Sequence, residues 1–202
     1  LVGEATLEAT VTADLEREPS TRPSDDGRAG SHRDRDLRGK INDLQHCLLT
    51  ADPQADVHGL ALERLMVAAG ADRVLALMNT TRDDGSVGCL AYAEAVMDVG
   101  SSLLDSVAGQ AEAYDDLAPG LFDDLAAGRP FASRTEFLGQ RAAARLAAQG
   151  VEALLLLPLF VDGAFHGVLR LDQCEHARLW SDAETAVLVS AAGAISAALG
   201  RQ

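Results

Sequence analysis

The sequence predicts an α+β fold, an antiparallel sheet with helices on its faces, from three observations. Two pairs of apolar, strand-like segments are each joined by a turn signal, so each pair reads as a hairpin. Helix-period segments precede the first pair and follow the second. Between the pairs, residues 98–149 are helical and irregular. Helix, hairpin, helical middle, hairpin, helix is the order of an antiparallel sheet covered by helices.

The elements follow in chain order. Residues 1–18 predict a helix, because Leu7, Val11 and Leu15 fall on one stripe, and Pro19 ends it. Residues 19–35 carry Pro, Ser, Gly and mixed charge with Ala29 as the single apolar side chain, so they predict a disordered linker. A second helix is expected from Asp36 to Thr50. Its Leu37, Ile41, Leu44 and Leu48 are spaced like a two-heptad seam, which serves either pairing between chains or packing on its own domain. Beyond Pro53, a third helix from Asp56 to Ala69 presents Ala61, Leu62, Leu65, Met66 and Ala69 on one face, and Gly70 supplies its stop.

The period then changes to that of a strand. Arg73 to Thr80 and Val87 to Val96 flank the turn from Arg82 to Ser86 and make the first hairpin. In the irregular middle, Pro119-Gly120 and Gly128-Arg129-Pro130 are breaks. Val151 to Val161 is an unbroken apolar run, which implies a strand buried on both faces. Asp162-Gly163 turns it into its partner, Ala164 to Asp172. Gly167 within that partner leaves room for a close helix or a ligand. The last helix opens on the capping box Ser181-Asp182-Ala183-Glu184, with Trp180 placed to staple against Val187 or a neighbour. Leu188, Ala191 or Ala192, Ile195 and Leu199 form its apolar stripe.

Length and charge narrow the function. The 202 residues allow one buried domain plus an extension, read as 1–54 for the N-terminal helices and linker and 55–200 for the domain. A start at Leu1 rather than Met reads as a fragment or processed chain. The formal net charge of −14 repels phosphate backbones and anionic lipid, so neither nucleic-acid binding nor membrane contact by this segment is expected. Ala153 to Val161 is too short to span a bilayer, and Ala186 to Leu199 is alanine-rich and broken by Ser190, Gly193 and Ser196. No secretory signal is visible. With the three cysteines Cys47, Cys89 and Cys174 matching no disulfide or zinc pattern, the expected location is the cytoplasm, with reduced thiols. Cys174 and His176 would give two metal ligands without a second pair, so no metal site is expected.

Several stretches together resemble a known family. The run from Gln149 to Leu159, then Val161-Asp162-Gly163, Phe165-His166-Gly167-Val168-Leu169, Leu171-Asp172-Gln173-Cys174, Arg178-Leu179-Trp180-Ser181 and Glu184 is similar to the C-terminal half of GAF domains in bacterial sensor kinases and diguanylate cyclases. Tyr114-Asp115-Asp116-Leu117 and Leu125 to Pro130 fit the family's middle more loosely, and Gly70 to Val74 fits its opening. The resemblance implies a GAF-like (profilin-like) antiparallel sheet of five or six strands. Its terminal helices would lie on one face and an irregular helical cover, over a pocket, on the other. It further implies a cytoplasmic sensor rather than an enzyme, a homodimer joined through its terminal helices, and a small-molecule ligand whose identity the family does not fix. Residues 1–54 lie outside it.

On that basis the candidate pocket residues are Tyr92, Tyr114, Phe122, Arg134, Phe137, His166, Arg170 and Asp172. The aromatics either line a cavity or plug the core of the cover. His166 and Arg170 are expected on one face of their strand, with Asp172 as the nearest acid. Arg170 then either clamps an anionic ligand or pairs with Asp172. A free methionine sulfoxide reductase of the same fold is the enzymatic alternative. It would need a reactive thiol such as Cys89 with a resolving partner. A ligand-free dimerisation scaffold is the third reading.

Overall fold

The computed structural model describes residues 25–52, 56–97, 102–107 and 109–201; the helix expected over 1–18 lies outside them. The first helix, α1, spans Asp25–Thr50 and so begins inside the stretch expected to be linker. Its C-terminal half is anchored by Leu37, Ile41, Leu44 and Leu48, all buried. Once a helix is nucleated, each further residue fixes few dihedrals per hydrogen bond gained, so α1 extends through polar sequence, with His32, Arg33 and Arg35 left exposed.

The α1 stripe is spent within the chain. It packs in one apolar cluster with α2 (Val57–Ala69) and α6 (Asp182–Leu199), where Leu188, Ala191, Ala192 and Ile195 are fully buried. The small alanines let α1 approach closely. Gln45 Nε2 donates to the Ser190 carbonyl at 3.3 Å, and Arg201 Nη2 to the Leu48 carbonyl at 2.9 Å. Of the two uses the seam allows, the structure takes packing on its own domain.

Local rules place the ends of α2 and α6. Asp56 caps α2 by accepting from the His58 and Gly59 amides, and Gly70 ends it at φ 61°. At α6 the capping box forms as expected, with Ser181 accepting from the Glu184 amide and Glu184 accepting from the Ser181 amide. Trp180 is buried in the same cluster as Val187, and its indole N–H donates to the Ala69 carbonyl at 2.9 Å, tying α6 to the end of α2.

Both hairpins are present, β1 (Arg73–Thr81) with β2 (Val87–Val96) and β5 (Ala153–Val161) with β6 (Ala164–Gln173). Asp162 and Gly163 turn the second at φ 51° and 78°. Pairing of β1 with β6 merges the two into one sheet. Two more strands come from the irregular middle: β3 (Glu112–Ala113) beside β2, and β4 (Phe131–Arg134) beside β5. The six-stranded order is β3-β2-β1-β6-β5-β4, all antiparallel.

Alternation sorts the side chains. Val74, Ala76, Leu155, Leu157, Leu159, Leu169 and Leu171 face α1, α2 and α6. Leu75, Leu77, Leu154, Leu156 and Val168 face a cover of short pieces: α3 (Leu104–Val107), α4 (Leu121–Ala126), α5 (Gln140–Ala148) and two 3-10 turns. Gly167 serves neither a helix nor a ligand. A Cβ there would sit 2.0 Å from the Leu77 carbonyl oxygen, so the close neighbour is the adjacent strand.

Candidate functional site

The register of β1 on β6 builds the site. Arg73 lies opposite Asp172 and Leu75 opposite Arg170, so both arginines and the acid point to the cover side. Asp172 is wholly buried. Its Oδ2 accepts from Arg73 Nε and Nη2 at 2.9 and 2.7 Å and from Arg170 Nη2 at 3.0 Å. Its Oδ1 accepts from Arg170 Nε at 2.7 Å. Arg170 therefore does pair with Asp172, and Arg73 is a second guanidinium on the same carboxylate. Gln149, at the end of α5, accepts from Arg170 Nη2 at 2.8 Å and from Arg73 Nη2, through its carbonyl, at 3.3 Å. Glu94 lies 4.0 Å from Arg73. Burial opposes the charge on Arg170, and the Asp172 carboxylate outweighs it, raising its pKa.

Beside this cluster lies a cavity of about 30 Å³, lined by Cys89, Glu112, Tyr114, Arg145, Arg170 and the apolar residues around them. Arg145 on α5 and Glu112 on β3 face each other at 3.4 Å. Cys89 on β2 is paired with Glu112 in register. Burial, then the charge of Glu112, pushes its thiol up to about 12. Tyr114 donates to Asn79 Oδ1 at 2.5 Å, and Asn79 in turn donates to the Phe165 carbonyl at 2.8 Å. Phe122 and Phe165 pack on Tyr114 with ring centroids 5.8 Å away.

Four of the eight expected pocket residues thus come together on the cover side: Tyr114, Phe122, Arg170 and Asp172. The others do not. Tyr92, left without an opposite residue by a bulge in the β1–β2 pairing, faces α2 and meets His58 Nε2 at 2.5 Å. A second bulge, opposite Leu159 and Phe160, leaves His166 unpaired and breaks the alternation expected to put it beside Arg170. Phe165 takes the cover side instead, and His166 comes within electrostatic reach of His58. Arg134 and Phe137 stack on each other at 5.9 Å at the outer rim, Phe137 being 71% exposed. Sequence reasoning missed Arg73, Glu112, Arg145 and Gln149. Arg73 carried a signal, a charge opening an apolar strand, which demands a buried partner.

A wider, open concavity of about 610 Å³ lies on the helix side, around His58, Glu63, Met66, Tyr92 and Leu104. Its best-placed acids are committed: Asp56 caps α2, and Glu94 accepts from the amides of Leu103 and Leu104. The cover-side cluster is the better chemical site, since its groups are buried, charged and not all satisfied. Among the described residues no three His, Cys, Asp or Glu side chains converge as metal ligands.

Comparison with known proteins agrees with this fold. The GAF domain family matches residues 59–199. The chain is 30% identical over 140 residues to the methanogenesis regulatory histidine kinase FilI of Methanothrix harundinacea, covering 69% of this chain and 16% of that protein. In structure it is similar to the phycoerythrobilin-bound GAF domain of a cyanobacterial phytochrome (TM-score 0.62, 15% identity, 82% of this chain and 95% of that one). It is similar also to the chromophore-binding domain of Stigmatella aurantiaca bacteriophytochrome (TM-score 0.65, 12% identity, 82% and 60%). At these identities the solved structures speak for the fold alone. With the family matched over more than half its length, the chain belongs to the GAF domain family.

Proposed function

We propose that this GAF domain is a cytoplasmic, ligand-sensing regulatory module of a larger signal-transduction protein, and that it works by binding rather than catalysis. The observation that carries the reading is the buried Arg73–Asp172–Arg170 cluster beside a small cavity, roofed by short elements. A charged cluster beneath a thin roof is where a ligand has most to gain by shifting the population of closed and open covers. β6 carries Arg170 and Asp172 and leads directly into α6, which packs on α1, so a change at the site has a short route to the terminal helices. The similarity to one segment of a much longer regulatory kinase supports a module acting on a neighbouring output domain.

Reductase chemistry is disfavoured by the thiols. Cys89 at about 12 holds almost no thiolate at neutral pH, and the three free cysteines lie on separate elements. A homodimer through the terminal helices would use the outer surface of α1, where Leu49 is 73% exposed, because the expected seam is buried. Sedimentation of the purified chain should then show dimers, and a strict monomer at high concentration removes that part.

The main test is a thermal-shift screen of metabolites followed by hydrogen exchange. A hit should slow exchange in β3, α4 and α5. If no compound stabilises the protein, or if protection falls only on α1 and α2, the reading fails.

A further inference from the structure

We propose that the cavity between Arg145 and Arg170 seats the head group of a small monocarboxylate, and that Glu112 is the resident counter-charge which this ligand displaces. The proposal rests on the sensor reading above and names the chemical class of its ligand.

Unmet hydrogen-bonding capacity is the first argument. Arg145 Nε is a buried donor with no acceptor among the described residues. Buried donors are nearly always satisfied, and an exception calls for a water or an ion. Arg170 commits Nε and Nη2 to Asp172 and Gln149, which leaves its Nη1 without a hydrogen-bonded acceptor there. Both arginines line the same cavity. A planar carboxylate is the ligand whose two oxygens match such donors.

Looseness of the present partner is the second. Glu112 lies 3.4 Å from Arg145 without an aligned hydrogen bond, each side chain remains about a quarter exposed (27% and 25%), and Glu112 sits on a two-residue edge strand. Little holds it in place. By contrast, Asp172 is fully buried and fastened by two arginines.

Charge and size set the class. Arg73, Arg145 and Arg170 are met by Asp172, Glu94 and Glu112, three cations against three anions. Exchange of Glu112 for a monoanion preserves that balance, whereas a dianion such as phosphate would leave excess negative charge in a buried site. The cavity of about 30 Å³ matches one water's share of liquid, so a head group of carboxylate size enters as the Glu112 carboxylate leaves. Leu117, Leu146, Leu156 and Val168 on its walls suit a short alkyl chain.

The test uses the full chain with ¹⁵N-labelled arginine. Acetate, propionate and butyrate are titrated against their amides, with sodium chloride holding ionic strength. The Arg145 Nε–H signal, assigned by its disappearance in Arg145→Gln, should move saturably with at least one acid and with none of the amides. Arg145→Gln, read on the Arg170 Nε–H signal at the same cavity, should weaken that binding by about tenfold or more, the loss expected for one charge-assisted bond. Glu112→Gln should tighten it by removing the competitor, and Arg134→Gln at the outer rim should leave it unchanged. Equal responses to acid and amide, or none to any acid, overturn the proposal. If Arg145→Gln does not fold, Glu112→Gln decides, and unchanged or weaker binding there overturns it. A neutral or cationic metabolite found under the cover would end the carboxylate assignment and leave the sensor reading standing. A cover that accepts nothing ends both.

Discussion

One face of the sheet carries α1, α2 and α6, of 26, 13 and 18 residues; the other carries α3, α4 and α5, of 4, 6 and 9. The long helices have side-chain caps at α2 and α6, and none of α4, α5 or the 3-10 turns does. The helix side is closed by aliphatic packing, while the cover side encloses arginines and carboxylates. A fully buried Leu contributes about 1.5–3 kcal/mol relative to exposure, so the helix face holds its shape. Buried ion pairs barely offset their desolvation, so the cover face rests on its own apolar cluster, with Leu121, Leu125 and Leu146 buried, rather than on its charges. The difference teaches that scaffold and site are divided by the sheet itself.

The largest expected effect probes the charged face. Asp172→Ala strips two buried arginines of their shared acceptor and should cost about 3–5 kcal/mol in denaturant unfolding. A loss below about 1 kcal/mol would mean the arginines relax into water, and the cover is no closed layer. Next comes a paired truncation across the sheet. Leu188→Ala on the helix face should cost about 3 kcal/mol, whereas Leu117→Ala, partly buried in the cover, should cost about 1. Equal costs would erase the distinction between the faces.

Thiol labelling sharpens it without a substitution. Cys47 and Cys174 are partly exposed and should react first with a maleimide. Cys89, buried and pushed up to about 12, should react only as fast as the cover opens, and more slowly once a ligand holds it closed. Simultaneous labelling of all three would show the cover already open.

The smallest effect lies on the helix face. Burial holds the His58 pKa below its ordinary 6.5, opposed by Asp56 and assisted by His166, while Tyr92 bonds its Nε2. The unfolded chain then binds more protons than the folded one between the folded pKa and 6.5. Stability therefore rises with pH through that window and is lost as pH falls through it. His58→Gln should flatten the slope of melting temperature against pH below 6.5. An unchanged slope would assign it to other groups.

Much of the fold was legible in residues obeying local rules. Asp162-Gly163 dictates its turn, Ser181 and Glu184 their cap, Gly70 its stop, and the apolar run from Val151 to Val161 its burial. The α1 boundary was not, since helix propagation into polar sequence costs little once Leu37 to Leu48 are packed. Nor were β3 and β4, because strands of two and four residues have no periodicity and exist only by pairing with an edge already there. Of the four expected residues that lie elsewhere, Arg134 and Phe137 sit at the exposed rim, while Tyr92 and His166 each sit at a bulge, which no local pattern announces.

By itself, the sequence determined that there would be two hairpins and capped helices forming an α+β domain, since turns, caps and apolar periods act over a few residues; its GAF type came from the resemblance of longer stretches to that family. Only the tertiary structure decided that Arg73 and Arg170 share Asp172, that Arg145 faces Glu112, and that the α1 seam closes on α6. Those partners lie as far apart as 99 residues for Arg73 and Asp172 and 145 for Gln45 and Ser190 between α1 and α6, and meet through strand register and helix packing, which no local pattern encodes.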